Sequence, residues 1–496
     1  MLFLTLATAA ELELGAYDRV RVDIADYPGA LTSSVSGSVL ATPPPPGTPY
    51  RLESTPEVDE YVATEAIEAL AISPWHSAGY TGAGVKIAVF DVQWFNAAAA
   101  GDELGEATTH DCELQRSCDA QMDTLRPRYT FEEGSHGVAC AEVIRDLAPD
   151  AELHLVRVNG STTFENASAW AIRNDIDIVS MSMSFFNNSF HDGTGPLNAT
   201  ADTLANGGVL LVNSAGNYNG EHWIGDLDDQ DRDGDLEFPW GSSYLPIELD
   251  AGSTTVYVAW DEFNDCGDTD LDAIVYDSDG DIVGHSDSVQ DAEGDSCSPL
   301  ERVTARAEAD DWYYLRLLRN RGDATRISIF VRGGNVYSPQ PGSLADPASS
   351  LTTFTVGAVR ADGYAQNGAE SFSSRGPSHA GTDKPDIAGP DGLSSRTYGP
   401  RGFYGTSAAT PAVAAAIALR MSAEAGLSAR DAADALAASS LDSTATWEQW
   451  DGALGAGRAR LVSPELIGNA CGGGGAALAA PLLWWARFRR RGLCRG

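Results

Sequence analysis

Short, continuously apolar runs alternate with helical stretches along much of this sequence, and that rhythm leaves few architectures open. Residues 85–90 form an apolar-rich run of the kind expected for a strand buried on both faces. A helical pattern follows His136, with Cys140, Val143, Ile144 and Leu147 on one side. Residues 152–158 read as a strand, 165–174 as a helix, 176–183 as a strand, 197–205 as a helix and 209–213 as a strand. Repeated β-α-β units predict an α/β fold, a doubly wound, mostly parallel sheet with helices on both faces. Between residues 221 and 334 the helical period is lost. Strand patterns at 254–260, 271–276 and 312–318 are separated there by Asp/Gly-rich turns, which predicts a small antiparallel β-sandwich inserted into the α/β domain. The α/β rhythm resumes at 352–359 and runs to about Leu461. The expected division is a signal-like segment (1–10), an acidic, Pro-rich spacer or pro-segment (11–59), the α/β domain in two parts (60–220 and 335–465) around the insert (221–334), and a tail (466–496).

Charge and cysteines narrow the setting. The formal net charge is −39, from 32 basic and 71 acidic residues. Such a surface repels phosphate backbones and argues against a nucleic-acid partner. Of the seven cysteines, Cys112 with Cys118 and Cys266 with Cys297 lie in loop-like stretches. In an oxidising compartment both pairs are disulfide candidates; metal binding is the competing reading, without CxxC spacing or paired histidines to support it. Cys140, in an apolar helix, reads as a buried thiol. The opening run MLFLTLATAA ends in Ala-x-Ala like the second half of a secretory signal, although it lacks a basic start. Residues 43–46 are four prolines, hence extended chain. At the other end, Cys471 and four glycines precede an apolar stretch (476–486) and then Arg487, Arg489, Arg490 and Arg491. The stretch is too short for an ordinary spanning helix. The layout resembles bacterial C-terminal sorting signals, with transient membrane attachment and a secreted or cell-surface location; the plainer reading is a cationic tail.

Four short segments carry the chemistry. The first is the apolar run ending in Asp91, at the carboxyl end of a strand, where functional groups gather in open parallel sheets. The second is Ser135-His136-Gly137, at the entrance of a helix. The third is Asn213-Ser214-Ala215-Gly216-Asn217, where a buried strand runs into small residues and an amide. The fourth is Gly405-Thr406-Ser407-Ala408-Ala409-Thr410-Pro411, which puts Ser407 at the N-terminus of an apolar helix (412–418), with Pro411 expected in its first turn. Each alone has an ordinary structural explanation, as a turn, a cap or a hydrogen-bonded core residue. Together, in this order, they resemble the subtilisin family of serine peptidases. The resemblance extends through residues 371–377 and 384–388 and covers roughly 70–220 and 335–462.

The resemblance implies a secreted serine endopeptidase acting on proteins or peptides, with Asp91, His136 and Ser407 as its triad and Asn217 in the oxyanion hole. Ser182, Met183 and Ser184, with Ser214, Ala215 and Gly216, would line the substrate cleft. The chemistry it implies needs no cofactor. Val92 and Gln93 stand where the family has Ser or Thr then Gly, Glu142 and Ser184 where it has Gly, and Gln93, Trp94 and Phe95 are expected to crowd the entrance near Asp91. In the insert, Asp229, Asp231, Asp233, Gly234, Asp235 and Glu237 match the start of a calcium loop whose twelfth position is Trp240 rather than Glu. A structural Ca²⁺ and a solvated acidic loop are both open. Two rival functions remain at this stage, an inactive scaffold presenting the insert as a binding module and a non-peptidase serine hydrolase. The sequence does not give the oligomeric state.

Overall fold

The computed structural model describes residues 64–113, 116–124, 134–263, 268–290, 299–441 and 451–465, with two short paired strands, Val20–Arg21 and Arg51–Leu52. The signal-like run, the four prolines, Cys266, Cys297 and the tail from residue 466 lie outside the described residues.

Five strands, β1 (Lys86–Asp91), β2 (Ala107–Asp111), β3 (Glu152–Arg157), β4 (Ile178–Met181) and β5 (Leu210–Ser214), begin the main sheet. The chain then departs through nine strands: β6 (His222–Asp226), β7 (Tyr244–Leu249), β8 (Gly252–Trp260), β9 (Asp270–Tyr276), β10 (Ile282–Ser286), β11 (Leu300–Ala307), β12 (Asp311–Arg321), β13 (Arg326–Arg332) and β14 (Asn335–Val336). It returns as β15 (Phe354–Arg360) and β16 (Ile387–Asp391), followed by a hairpin of β17 (Leu393–Ser395) and β18 (Gly399–Phe403). The seven-stranded sheet has the order β16-β15-β5-β4-β1-β3-β2, and every pairing in it is parallel.

The alternation of side chains along buried strands explains the layering. Ile87, Val89, Leu153, Leu155 and Val212 point to one face, covered by helices α1 (His136–Leu147) and, further along the chain, Thr406–Ala423. Ala88, Phe90, Val156, Val179 and Met181 point to the other, covered by α2 (Ser161–Arg173) and α3 (Pro196–Asn206). The Thr406–Ala423 helix, α4, is buried along most of its length because α5 (Ala429–Ala438) packs outside it. This is the doubly wound architecture.

β6 to β14 form two antiparallel sheets, ordered β11-β8-β13-β6 and β10-β9-β12-β7-β14, around a core of their own that includes Trp223, Val256, Trp260, Leu315 and Ile329. The two bodies meet along an aromatic seam. Phe330 and Tyr257 of the sandwich pack on Phe186 and Tyr218, and the Arg332 guanidinium lies 4.2 Å from the Tyr218 ring centroid and 4.6 Å from that of Phe186.

Candidate active site

β1 and β5 end and α4 begins at the same edge of the sheet, which places there Asp91 at the end of β1, Asn217 three residues beyond β5 and Ser407 in the first turn of α4. Asp91 is 1% exposed. Its Oδ2 accepts a 2.7 Å hydrogen bond from His136 Nδ1, and its Oδ1 accepts one from the Gln93 backbone N–H at 2.9 Å. That backbone bond holds the carboxylate although Val92 and Gln93 offer no hydroxyl. His136 opens α1, and its side chain is 22% exposed. Burial disfavours the imidazolium, but the charge and hydrogen bond of Asp91 outweigh it and raise the His136 pKa above the ordinary value of 6.5. Gly137 is needed here: a Cβ at that position would stand 2.7 Å from the Asp91 Cβ and 2.9 Å from the Trp94 ring.

Trp94 corrects one expectation. Its ring is fully buried and its Nε1 donates to the Asp91 carbonyl at 2.8 Å, so it props the strand end from beneath and does not itself crowd the entrance.

Ser407 is half-buried at the second position of α4. The helix starts earlier than its apolar pattern, so Pro411 falls in the second turn and not the first. A residue with an N–H at 411 would donate to the Ser407 carbonyl; proline cannot. That carbonyl is instead approached by Ser182 Oγ at 3.1 Å and by the thiol of Cys140 at 3.7 Å. Cys140 lies one turn beyond His136, and these contacts pin the Ser407 turn against the histidine helix. Burial and the nearby Asp91 charge push the Cys140 pKa well up, so it acts as a neutral donor.

Asn217 follows β5. Its Oδ1 accepts from both the backbone N–H and the hydroxyl of Thr406, each at 3.0 Å, which fixes the amide flip and leaves Nδ2 as the free donor beside the Ser407 turn. Gly405 has φ +98°, and a Cβ there would meet Asn217 Nδ2 at 2.8 Å. Thr406 and Gly405 therefore place this amide. Asp391, at the end of β16, accepts from the Gly405 N–H at 3.1 Å, and burial pushes its pKa up to about 6.

The segments flanking this edge are those expected for a cleft, with differences in detail. Met183 and Ser184 are half-buried. Ser182 is committed to the Ser407 carbonyl, and Ala215 points inward onto Leu344 and Ala348. Ser214 is buried. Gly216 (φ +103°) brings the chain within 3.2 Å of the Thr406 hydroxyl, to which its N–H donates. Glu142 is buried and accepts from the Thr397 N–H (3.1 Å) and hydroxyl (2.8 Å), tying α1 to the β17–β18 hairpin. Phe403 of that hairpin packs edge-on to His136, with ring centroids 5.8 Å apart.

Sequence reading gives Cys140 as the buried thiol it is, but not its contact with the Ser407 carbonyl, and misses the roles of Thr406, Asp391 and the hairpin. Thr406 and Cys140 adjoin motif residues and were within its reach; Asp391 and Phe403 carry no local signal.

Elsewhere, Cys112 and Cys118 form a disulfide and Cys140 is free and buried. In the acidic loop, carboxylate oxygens of Asp229, Asp231, Asp233 and Glu237 lie within 4.8 Å of one another. Asp235 corrects the expected ligand set: Arg316 holds its carboxylate bidentately at 2.8 and 2.6 Å, so it faces β12 and not the cluster.

The profile of the subtilase family matches residues 82–246 and 266–457. Subtilisin E of Bacillus subtilis (strain 168) is 28% identical over 159 residues, 29% of this chain and 36% of that protein. Subtilisin of Bacillus pumilus is 28% identical over the same length, covering 29% of this chain and 50% of that protein. The chain thus spans well under two thirds of these curated relatives. Among solved structures, the CspB protease of Clostridium perfringens superposes with a TM-score of 0.57 at 16% identity, over 81% of this chain and 98% of that one, a likeness of fold.

Proposed function

The chain belongs to the subtilase family, and from that premise we propose that it is a serine endopeptidase that works through Asp91, His136 and Ser407. The observation that carries this reading is the 2.7 Å Asp91–His136 hydrogen bond beside a serine whose backbone is clamped at a helix N-terminus. A free hydroxyl is a weak nucleophile near neutral pH. His136 Nε2 takes the Ser407 proton as Oγ attacks the substrate carbonyl, and the imidazolium so formed is stabilised by Asp91. Negative charge then develops on the carbonyl oxygen. Asn217 Nδ2 and the Ser407 N–H, which lies in the first helical turn without an intrahelical acceptor, are the donors for it. Collapse of the tetrahedral species expels the amine, which receives the proton from His136 and leaves an acyl-enzyme on Ser407. Water repeats the sequence and releases the acid.

The protein or peptide chain would lie along the segments 182–184 and 214–216. Two further parts belong to the same proposal. The protein acts in an oxidising, extracytoplasmic setting, which the Cys112–Cys118 disulfide supports. The Asp229, Asp231, Asp233 and Glu237 oxygens hold a structural Ca²⁺, which would offset four carboxylates brought within 4.8 Å. The test of the main claim is casein digestion combined with fluorophosphonate labelling. Labelling is expected at Ser407, and Ser407→Ala is expected to lose both labelling and digestion while keeping its near-UV circular dichroism. Equal digestion by the variant would sink the assignment.

A further inference from the structure

Three histidines that the triad does not use meet at the seam between the sandwich and the parallel-sheet body. His222 begins β6 in the sandwich, His191 lies in the loop beyond the cleft segment 182–184, and His379 lies in the loop after β15. Ring centroids are 5.3 Å apart for His222–His379 and 5.8 Å for His191–His379. His222 and His191 are buried, and His379 is half-buried at the rim.

Counting protons exposes a deficit. His222 Nδ1 lies 3.2 Å from the Gln340 carbonyl oxygen, and His379 Nδ1 lies within hydrogen-bond reach of the Phe190 carbonyl oxygen. A carbonyl only accepts, so a neutral His222 ring carries its proton on Nδ1 and presents a lone pair at Nε2; His379 has a carbonyl at each ring nitrogen and can serve only one of them, and with its proton on Nδ1 its Nε2 presents a lone pair as well. Those two Nε2 atoms face each other at 3.3 Å, and the Gly342 carbonyl oxygen stands 3.0 Å from that of His379. With both Nδ1 atoms protonated, three acceptors converge here, and the Ser328 hydroxyl, 3.3 Å from His222 Nε2, can give a hydrogen to only one of them; a positive centre would serve all three. A proton is one candidate.

A metal ion meets the geometry. Zinc–nitrogen bonds are about 2.0–2.1 Å, so two nitrogens on a tetrahedral ion lie roughly 3.3–3.4 Å apart, the separation seen here. Nδ1–H donation to a backbone carbonyl is the support that orients ligating histidines. Ser328 Oγ lies 3.3 Å from His222 Nε2, and buried His191 has no hydrogen-bond partner on Nε2. Its Nδ1 lies 3.6 Å from Asp346, whose carboxylate is already held by Ser189, Ser349 and Asn198. We propose that His222 Nε2 and His379 Nε2, with the Gly342 carbonyl and the Ser328 hydroxyl as the adjacent further donors, bind a divalent ion of the zinc class that pins the sandwich to the parallel-sheet body. Imidazole-rich ligation selects zinc, cobalt or nickel over calcium, which separates this site from the acidic loop.

The experiment uses the full chain carrying Ser407→Ala to prevent self-digestion, stripped with a chelator and titrated with Co²⁺. Expected are about one bound ion per chain, visible d–d absorption of a low-coordinate nitrogen site, and a raised melting temperature. His222→Gln and His379→Gln are each expected to lose the absorption, and His191→Gln to keep it. Cys140→Ala is expected to keep it, which separates the seam from the Asp91, His136 and Cys140 group, whose ligand atoms also lie within 4.8 Å of one another. A Co²⁺ band that survives His379→Gln overturns the proposal. So does a folded parent chain whose melting temperature and spectrum ignore the ion, a result that needs no variant to fold. Nitrogen NMR showing a proton on either Nε2 at neutral pH would assign the positive centre to a proton and overturn it as well.

Discussion

His136 and His222 are both enclosed histidines at the start of a regular element, and the fold treats them in opposite ways. His136 has a buried carboxylate at 2.7 Å, and its pKa is raised. His222 faces a carbonyl, a hydroxyl and another imidazole, and its pKa falls to about 3. Burial acts alike on both; the partner decides the sign. One edge of the sheet thus favours a proton on its histidine, while the seam between the sandwich and the parallel-sheet body resists one.

The largest expected effect breaks the first half of this comparison. Ser407→Ala or His136→Ala is expected to cost about 10⁶-fold in kcat, the loss that subtilisin itself shows for such changes, measured on folded protein with a peptide substrate. Asp91→Asn is expected to cost about 10⁴-fold, since the amide cannot stabilise the imidazolium. It should also bring the acid limb of kcat/KM down in pH. In the parent chain that limb is expected above the ordinary histidine value of 6.5, because His136 must be neutral to act and its pKa is raised. A limb below 6.5 in the parent would contradict the account of Asp91. Asn217→Ala is expected to cost about 10²–10³-fold in kcat with little change in stability, because the Ser407 N–H remains as a donor. A structural Asn217 would lower folded yield instead.

The seam supplies the contrast in stability. A histidine whose folded pKa lies below its unfolded value costs nothing at pH well above 6.5. As pH falls below 6.5 the unfolded chain binds the extra proton, and stability drops by up to about 1.4 kcal/mol per pH unit for each such group until the folded pKa is reached. For His222 that window runs from about 6.5 to about 3. His136 has the opposite sign: its contribution is present below 6.5 and lost as pH rises through its raised folded pKa. Acid denaturation of metal-free His222→Gln is therefore expected to be shallower than that of the parent, followed by circular dichroism in urea. The smallest effect is Ser182→Ala, which removes one hydrogen bond to the Ser407 carbonyl and is expected to cost about 1 kcal/mol, a few-fold in kcat.

The alternation of strand and helix patterns indicated the doubly wound sheet, and residues 85–91, 135–137, 213–217 and 405–411, in this order, carry the family resemblance that implied the four residues at its edge. This works because strand and helix periods are written in neighbouring residues, and because a parallel sheet brings the carboxyl ends of its strands together whatever the loops contain. Trp94 shows the limit. Its position beside Asp91 predicted crowding, yet its indole turned inward to bond the Asp91 carbonyl. Asp235 shows the same limit in the insert, where spacing predicted a ligand and Arg316, 81 residues away, took the carboxylate.

The sequence by itself determined the alternation of elements and the insertion of a strand-only region, because each depends on residues close along the chain, and through its family resemblance it pointed to the groups proposed to react. Only the tertiary structure decided which hydrogen bonds those groups make. Asn217 is oriented by Thr406 across 189 residues, the Ser407 carbonyl is met by Ser182 across 225, and His222 faces His379 across 157. A proton affinity or a ligand geometry is set by atoms within about 4 Å, and in a folded chain those atoms come from anywhere in the sequence.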